Sequence, residues 1–280
     1  MFPPERILFP VDFSKRCDAV APMVETYVGR FQAELIVLHA VPPVDSAYGV
    51  PLVDAVTPAR VRISGYLTGE FEHFDVQRVV TPGDPALTII DYAENNGMDL
   101  IMMPTHGYGP FRRFVIGSVT AKVLHDAACP VWTSVHTEET PPLESIQFRH
   151  IVAAVDFGPQ TPCVLKWAAS FAKETGAGLT LVHAVPTAQD IPGFYCEQCF
   201  KQEMLREARE RAVRTLNDAG IHNGHISVAA DEVVRAISET ARQLQADLVV
   251  IGRGPTSGLG RLRTQAYQII RQSPCPVVSV

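Results

Sequence analysis

Apolar residues along this chain fall into two kinds of stretch that alternate: short unbroken runs and longer segments with helical spacing. Arg6-Ile-Leu-Phe-Pro-Val-Asp12 is an unbroken run ending in an acid, the pattern of a strand buried on both faces. Behind Ser14, a natural N-cap, Ala19, Val20, Met23, Val24, Tyr27 and Val28 recur at helical spacing. Residues 33–41 make a second strand, stopped by Pro42-Pro43. A weaker helical pattern covers 58–74, interrupted by Gly65 and Gly69. Val76 to Val80 reads as a short strand. Asp84-Pro85 then opens a helix, Asp84 as N-cap and Pro85 at the first turn, and Asn95-Asn96-Gly97 closes it. A strand over 99–103, a glycine loop, a helix over 117–128 and a last strand over 129–135 complete the set.

After residues 137–147, charged, proline-containing and without periodicity, the plan starts again. His150-Ile-Val-Ala-Ala-Val-Asp156 repeats the first strand, and Leu179-Thr-Leu-Val-His-Ala-Val-Pro186 repeats Leu35-Ile-Val-Leu-His-Ala-Val-Pro42 at the same offset, 144. The offset grows to 148 where Ala246-Asp-Leu-Val-Val-Ile251 repeats Met98-Asp-Leu-Ile-Met-Met103, and is 146 where Cys275–Val280 repeats Cys129–Val135. One domain is written twice, over 1–137 and 149–280, with a linker at 138–148. Each copy reads β-α-β-α-β-α-β-α-β. Strands apolar throughout predict a five-stranded parallel sheet, doubly wound, with right-handed crossovers. Ligands of such sheets sit beyond the C-terminal strand ends, where the strand order reverses. Asp12, Val41 and the 103–107 loop each follow a strand end, so all three can line one crevice.

Composition narrows the function classes. The 280 residues are 46% apolar and 19% charged, enough for two self-sufficient cores. A net charge of −6 argues against a nucleic-acid partner. No apolar run approaches a membrane span of ~20 residues, and no leader precedes the first strand, so neither membrane insertion nor secretion is expected. Six cysteines do not make a disulfide framework, which points to the cytoplasm. Cys17, Cys129, Cys163 and Cys275 fall on apolar faces and are expected in the core. Cys196-Glu-Gln-Cys199 is a C-x-x-C without a second pair nearby, a weak candidate for metal or redox chemistry.

The chemistry concentrates in Asp99–Thr120. A buried strand breaks at Pro104, passes Gly107 and Gly109, and reaches a helix start at Gly117-Ser-Val-Thr120. Glycines allow close backbone approach, and the N–H groups and dipole of a helix start favour an anion. An ordinary βα connection that binds nothing has the same outline. No Ser-His-Asp set, Gly-x₄-Gly-Lys-Ser loop or acid/base pair is present, so no catalytic residue is assigned.

Both halves, nearly end to end, resemble the universal stress protein family in its tandem two-domain form. Nucleotide-binding members carry Gly-x-x-Gly, nine residues, then Gly-Ser or Gly-Thr. Here Gly107 is followed by nine residues, Tyr108 to Ile116, and then Gly117-Ser118, with Pro104 in place of the first glycine. The resemblance implies a Rossmann-like fold, similar to the adenine-nucleotide alpha-hydrolases, and pairing of the two domains through their last strands as an internal pseudo-dimer. It also implies ATP in domain 1. Pro10, Val11, Asp12 and Val41 would face adenine or ribose, and Met103, His106 and Gly107 the ribose and phosphates. Gly117, Ser118, Val119 and Thr120 would wrap the phosphates. Mg²⁺ would arrive with the nucleotide. In domain 2, Gln265 and Ala266 replace Gly117 and Ser118, so ATP is expected to bind weakly there or not at all. Arg253, Arg261 and Arg263 offer another anion site or a solvated loop.

Two functions stand against each other. One is a stress-response protein in which ATP is a conformational ligand with at most slow hydrolysis. The other is a non-nucleotide binding or interaction scaffold with a vestigial pocket. Asp12 is a ligand contact or a turn cap, and His39 with its repeat His183 a packing residue or a functional one. An adenylate-forming enzyme is disfavoured, since His-x-Gly-His and Ser-Gly-Gly-x-Asp-Ser are absent. The stress signal and protein partner are not legible, nor whether two chains join as a further homodimer.

Overall fold

β1 (Arg6–Pro10) is buried from Ile7 to Pro10, as its unbroken apolar run requires, and has parallel neighbours on both edges. β2 (Glu34–Val41) pairs with it from Arg6↔Glu34 to Pro10↔Leu38, and β4 (Leu100–Met103) joins on the other edge at Leu8↔Ile101. With β3 (Val76–Pro82) and β5 (Val131–Thr133) the order is β3-β2-β1-β4-β5, all parallel. The order reverses between β1 and β4, which places a crevice beyond their C-terminal ends. The helices are α1 (Lys15–Phe31), α2 (Val56–Ser64), α3 (Pro85–Asn95) and α4 (Ser118–Asp126). Trp132, Tyr27 and Phe9 are the largest fully buried side chains of this unit.

The structure, a computed structural model, describes residues 2–42, 55–107, 116–135, 142–143, 146–185, 197–253 and 264–280, without the side chains of 197–200 and 264. The chain divides into two compact units, Met1–Ile146 and Gln147–Val280. Most of the expected linker lies outside the described residues.

The second unit repeats the first. β6 (His150–Ala154), β7 (Gly178–Val185), β8 (His225–Ala230), β9 (Leu248–Ile251) and β10 (Val277–Ser279) take the order β8-β7-β6-β9-β10, again parallel. The helices are α5 (Thr161–Thr175), α6 (Glu197–Asp218), α7 (Val233–Gln243) and α8 (Thr264–Gln272). The two five-stranded, doubly wound sheets are the fold expected from the repeat.

Three local expectations change. The helix expected over 58–74 stops at Ser64, where Gly65 caps it and Leu67 then takes φ 51°. β1 ends at Pro10 rather than Asp12, because Phe13 turns the chain through φ 61°. Of the cysteines expected in the core, Cys17 and Cys275 are buried, but Cys129 is half-buried and Cys163 exposed on the solvent side of the first turn of α5. Among the described residues no helix is long and apolar enough to cross a membrane.

Candidate functional site

The C-terminal ends of β1, β2 and β4 open on a cavity of about 510 Å³ in the first unit. Of the residues expected there, Pro10, Val11 and Asp12 arrive on the β1 end, and Met103, His106 and Gly107 on the β4 loop. Gly117, Ser118, Val119 and Thr120 close it from the start of α4. Val41 is the exception. Its side chain is packed and its carbonyl accepts the Gly83 N–H at 2.9 Å, while its neighbours Ala40 and Pro42 form the wall.

Asp12 takes the turn role weighed for it. Its Oδ1 accepts the Ser14 N–H at 3.0 Å and the Cys17 S–H at 3.2 Å, an Asx turn that launches α1. Its Oδ2 lies against Gly107, where a Cβ would collide with it. The Arg16 guanidinium donates to the Gly107 carbonyl at 3.0 Å, pinning the other side of the loop. Burial first, and then the Asp12 carboxylate, push the Cys17 thiol up to about 12, so it stays a neutral donor. Sequence reading missed Arg16, and took Cys17 for plain core. Their position just after the Ser14 cap was the available signal.

At the other wall, Gly117 is the N-cap of α4 with φ −61° and ψ 148°, which any residue adopts. A Cβ there would meet His106 Cα and the Thr105 carbonyl at an ordinary 3.5 Å. Neither the turn nor the packing demands glycine, so what its absent side chain leaves is room at the helix start. Gly117 N–H donates to the Thr105 carbonyl at 2.8 Å, and the Thr120 hydroxyl to the Pro104 carbonyl at 3.0 Å. The groups of α4 that helix geometry leaves for a ligand are thus the first-turn N–H groups of Ser118, Val119 and Thr120, with the Ser118 hydroxyl. The Thr120 hydroxyl, expected at the phosphates, is already spent on the loop. Pro104 keeps a structural role through its carbonyl, which needs no N–H. α1 and α3 spend side chains on their own starts: Ser14 Oγ accepts from Cys17 N at 3.4 Å and Asp84 Oδ1 from Leu87 N at 2.9 Å. α4 has no side-chain cap and faces the cavity; α2, also without one, does not line it.

His39 and His183 are tied down alike. Each Nδ1–H donates to a main-chain carbonyl at 2.8 Å, of Val11 and Val155 respectively. Phe13 and Phe157, both at positive φ, pack on these rings at 4.4 and 4.2 Å, and Arg62 and Arg211 cover the phenylalanines at 4.2 and 4.8 Å. His106 is buried, its Nδ1 3.1 Å from Thr105 Oγ1. Among the described residues no group of three or more His, Cys, Asp or Glu is placed to hold a metal ion. Cys196 and the side chain of Cys199 lie outside the described residues, as do Arg261 and Arg263. Arg253 is buried.

A parallel sheet with a crevice beyond its switch point defines a doubly wound α/β domain, present twice, and in the first unit an uncapped helix start faces that crevice. The model of the universal stress protein family matches residues 4–134 and again 147–280, and the chain belongs to that family. A universal stress protein of Synechocystis sp. is 32% identical over 130 residues, covering 45% of this chain and 82% of the relative. One from Thermus aquaticus is 32% identical over 124 residues, 43% of this chain and 88% of the relative. The crystal structure of a universal stress protein from Archaeoglobus fulgidus matches the fold along 99% of this chain and 98% of that one, with a TM-score of 0.76 at 21% identity.

Proposed function

We propose that the first unit binds an adenine nucleotide, with ATP as its ligand, and that the protein works as a nucleotide-responsive stress protein rather than as an enzyme. The observation that carries this reading is the start of α4: a glycine N-cap whose conformation does not need glycine, opening first-turn N–H groups onto a cavity of about 510 Å³. An anion completes such a helix start. Across the cavity, Asp12 Oδ2 is positioned to accept ribose hydroxyls, and the main chain of Ala40 and Pro42 with Val11 forms a wall suited to a flat base. Ser118, Val119 and Thr120 would hold phosphate by N–H donation, and Arg16 adds a cation at the loop. A bound nucleotide would bring Mg²⁺ through its own phosphates. With His39 tied by its Nδ1 and no acid/base pair assembled among the described residues, hydrolysis is slow at most.

Titration of the full chain with ATP, followed by calorimetry and melting temperature, tests this. Ligand at 100 times its Kd adds about 2.7 kcal/mol of stability, a shift of several degrees, and Gly117→Val removes it. No shift at millimolar ATP, with Gly117→Val indistinguishable from wild type, overturns the reading in favour of a scaffold with a vestigial pocket.

A further inference from the structure

At the end of the second unit's sheet where the strands begin, opposite the crevice, three polar side chains gather across three strands. His150 on β6 faces Gly178 on β7, and Thr180, two residues further along β7, faces Val152 on one edge and His225 of β8 on the other. Residues two apart on a strand share a face, so His150, Thr180 and His225 stand on one side of the sheet. Gly178 has no side chain, and the His150 ring lies over it: a Cβ there would meet Nδ1 at 3.2 Å and Cε1 at 3.4 Å. The ring thereby reaches β7, with Nε2 2.8 Å from the Oγ1 of the buried Thr180. β8 is the outermost strand of this unit and pairs with β7 alone. The first unit builds the same place differently. Arg6, Glu34 and Gln77 stand where the second has His150, Gly178 and His225. Arg6 Nε donates to Glu34 Oε2 at 2.9 Å and Gln77 Nε2 donates to Glu34 Oε1, so one carboxylate ties three strands. None of those side-chain types ordinarily titrates near neutrality. The second unit has two imidazoles, and a glycine in place of the carboxylate.

The charged groups that bear on His150 are His225 from β8 and Asp247 from the start of β9. Arg149 beside it turns its guanidinium to Gln147 Oε1, at 2.6 and 2.9 Å. Asp247 Oδ2 is engaged with the Arg149 and His150 N–H groups, at 2.6 and 2.9 Å. Burial first, and then His225, lower His150 below its ordinary 6.5, and Asp247 opposes them in part. A charged His150 donates from both ring nitrogens, so Thr180 Oγ1 can then only accept from it. We infer that His150, Thr180 and His225 form an acid-sensitive catch: on acidification the two imidazoles charge on either side of Thr180, repel, and loosen the start of β8 from β7, while the matching edge of the first unit holds. Opening hydrates His150 and parts it from His225, so the open form binds protons more readily and acid favours it. The inference is independent of the crevice and of any ligand there.

Hydrogen exchange of the ligand-free full chain at pH 7.5 and pH 5.5, read by mass spectrometry and corrected for intrinsic rates, tests this. Peptides over 225–230 lose protection severalfold at the lower pH relative to peptides over 248–251, a comparison that divides out any loss of stability of the unit as a whole. Peptides over 76–82, the matching strand of the first unit, show no such loss. His225 is exposed, so a substitution there leaves the fold intact. His225→Gln, which takes the residue of the first unit, keeps 225–230 protected at pH 5.5 and moves the NMR titration midpoint of His150 upward. The triple exchange His150→Arg, Gly178→Glu and His225→Gln, which grafts the first unit's trio, also keeps 225–230 protected. Protection of 225–230 indifferent to pH, an equal loss over 76–82, an acid response that survives His225→Gln, or a His150 midpoint unmoved by that substitution would each overturn the proposal.

Discussion

A single carboxylate illustrates how much one residue carries. Asp12 holds the turn into α1 with one oxygen and faces the loop glycine with the other, and Asp156 repeats the turn through a 2.8 Å bond from the Gly158 N–H. The repeated histidines were visible in the sequence, but their task was not, since Phe13 and His39 meet only through the fold. Burial, reinforced by Arg211, lowers His183 below its ordinary value of 6.5. Below pH ~6.5 the unfolded chain therefore binds more protons than the folded one, and stability falls as pH falls toward the folded-state pKa. The melting temperature should drop between pH 7 and pH 5.5, and less steeply in His183→Asn, whose amide keeps the donor to Val155 without titrating; His150, also lowered by burial, retains part of the slope. The thiols separate just as clearly. Burial pushes Cys17 and Cys275 up to about 12, whereas Cys163 is exposed. Brief alkylation of the native protein at pH 8, read by mass spectrometry, should mark Cys163 and spare the other two.

Helix starts divide into those capped by a side chain and those without one. Ser14 and Asp84 stood out in the sequence as caps and act as caps. Ser14→Ala should cost about 1 kcal/mol in urea unfolding. Gly117 was visible as part of a motif, but not as the member whose glycine the backbone does not need. Because its φ and ψ suit a capping residue, Gly117→Asp should add a few tenths of a kcal/mol to the ligand-free protein while abolishing any melting shift with ATP. Stability gained with binding lost is the outcome that separates a ligand-directed helix start from an ordinary one. Between elements the repeat also holds in detail: Asp99 Oδ2 accepts from Glu5 and Arg6 N–H, and Asp247 Oδ2 from Arg149 and His150 N–H, tying the start of each first strand to that of its neighbour.

At the scale of the molecule, each unit has its own sheet, helices and core. Residues 1–146 expressed alone should therefore unfold in one cooperative urea transition and keep the ATP response of the full chain. The two copies differ beyond the C-terminal strand ends rather than in the core: the strand runs persist, while Gln160, Gln265 and Ala266 stand where the first copy has Arg16, Gly117 and Ser118.

What the sequence determined by itself is whatever depends on neighbours along the chain. Unbroken apolar runs made the parallel strands, Ser14 and Asp84 the caps, and the 144–148 offsets the tandem repeat. What only the tertiary structure decided is what distant segments do when they meet. Asp12 and Gly107 come from strands far apart in sequence and adjacent in the sheet, so their contact depends on strand order. Whether the Thr120 hydroxyl is spent on Pro104, and whether His150 reaches Thr180, turns on distances of a few ångströms between side chains and their neighbours. Spacing along a chain sets which residues share an element's face; it does not set those distances.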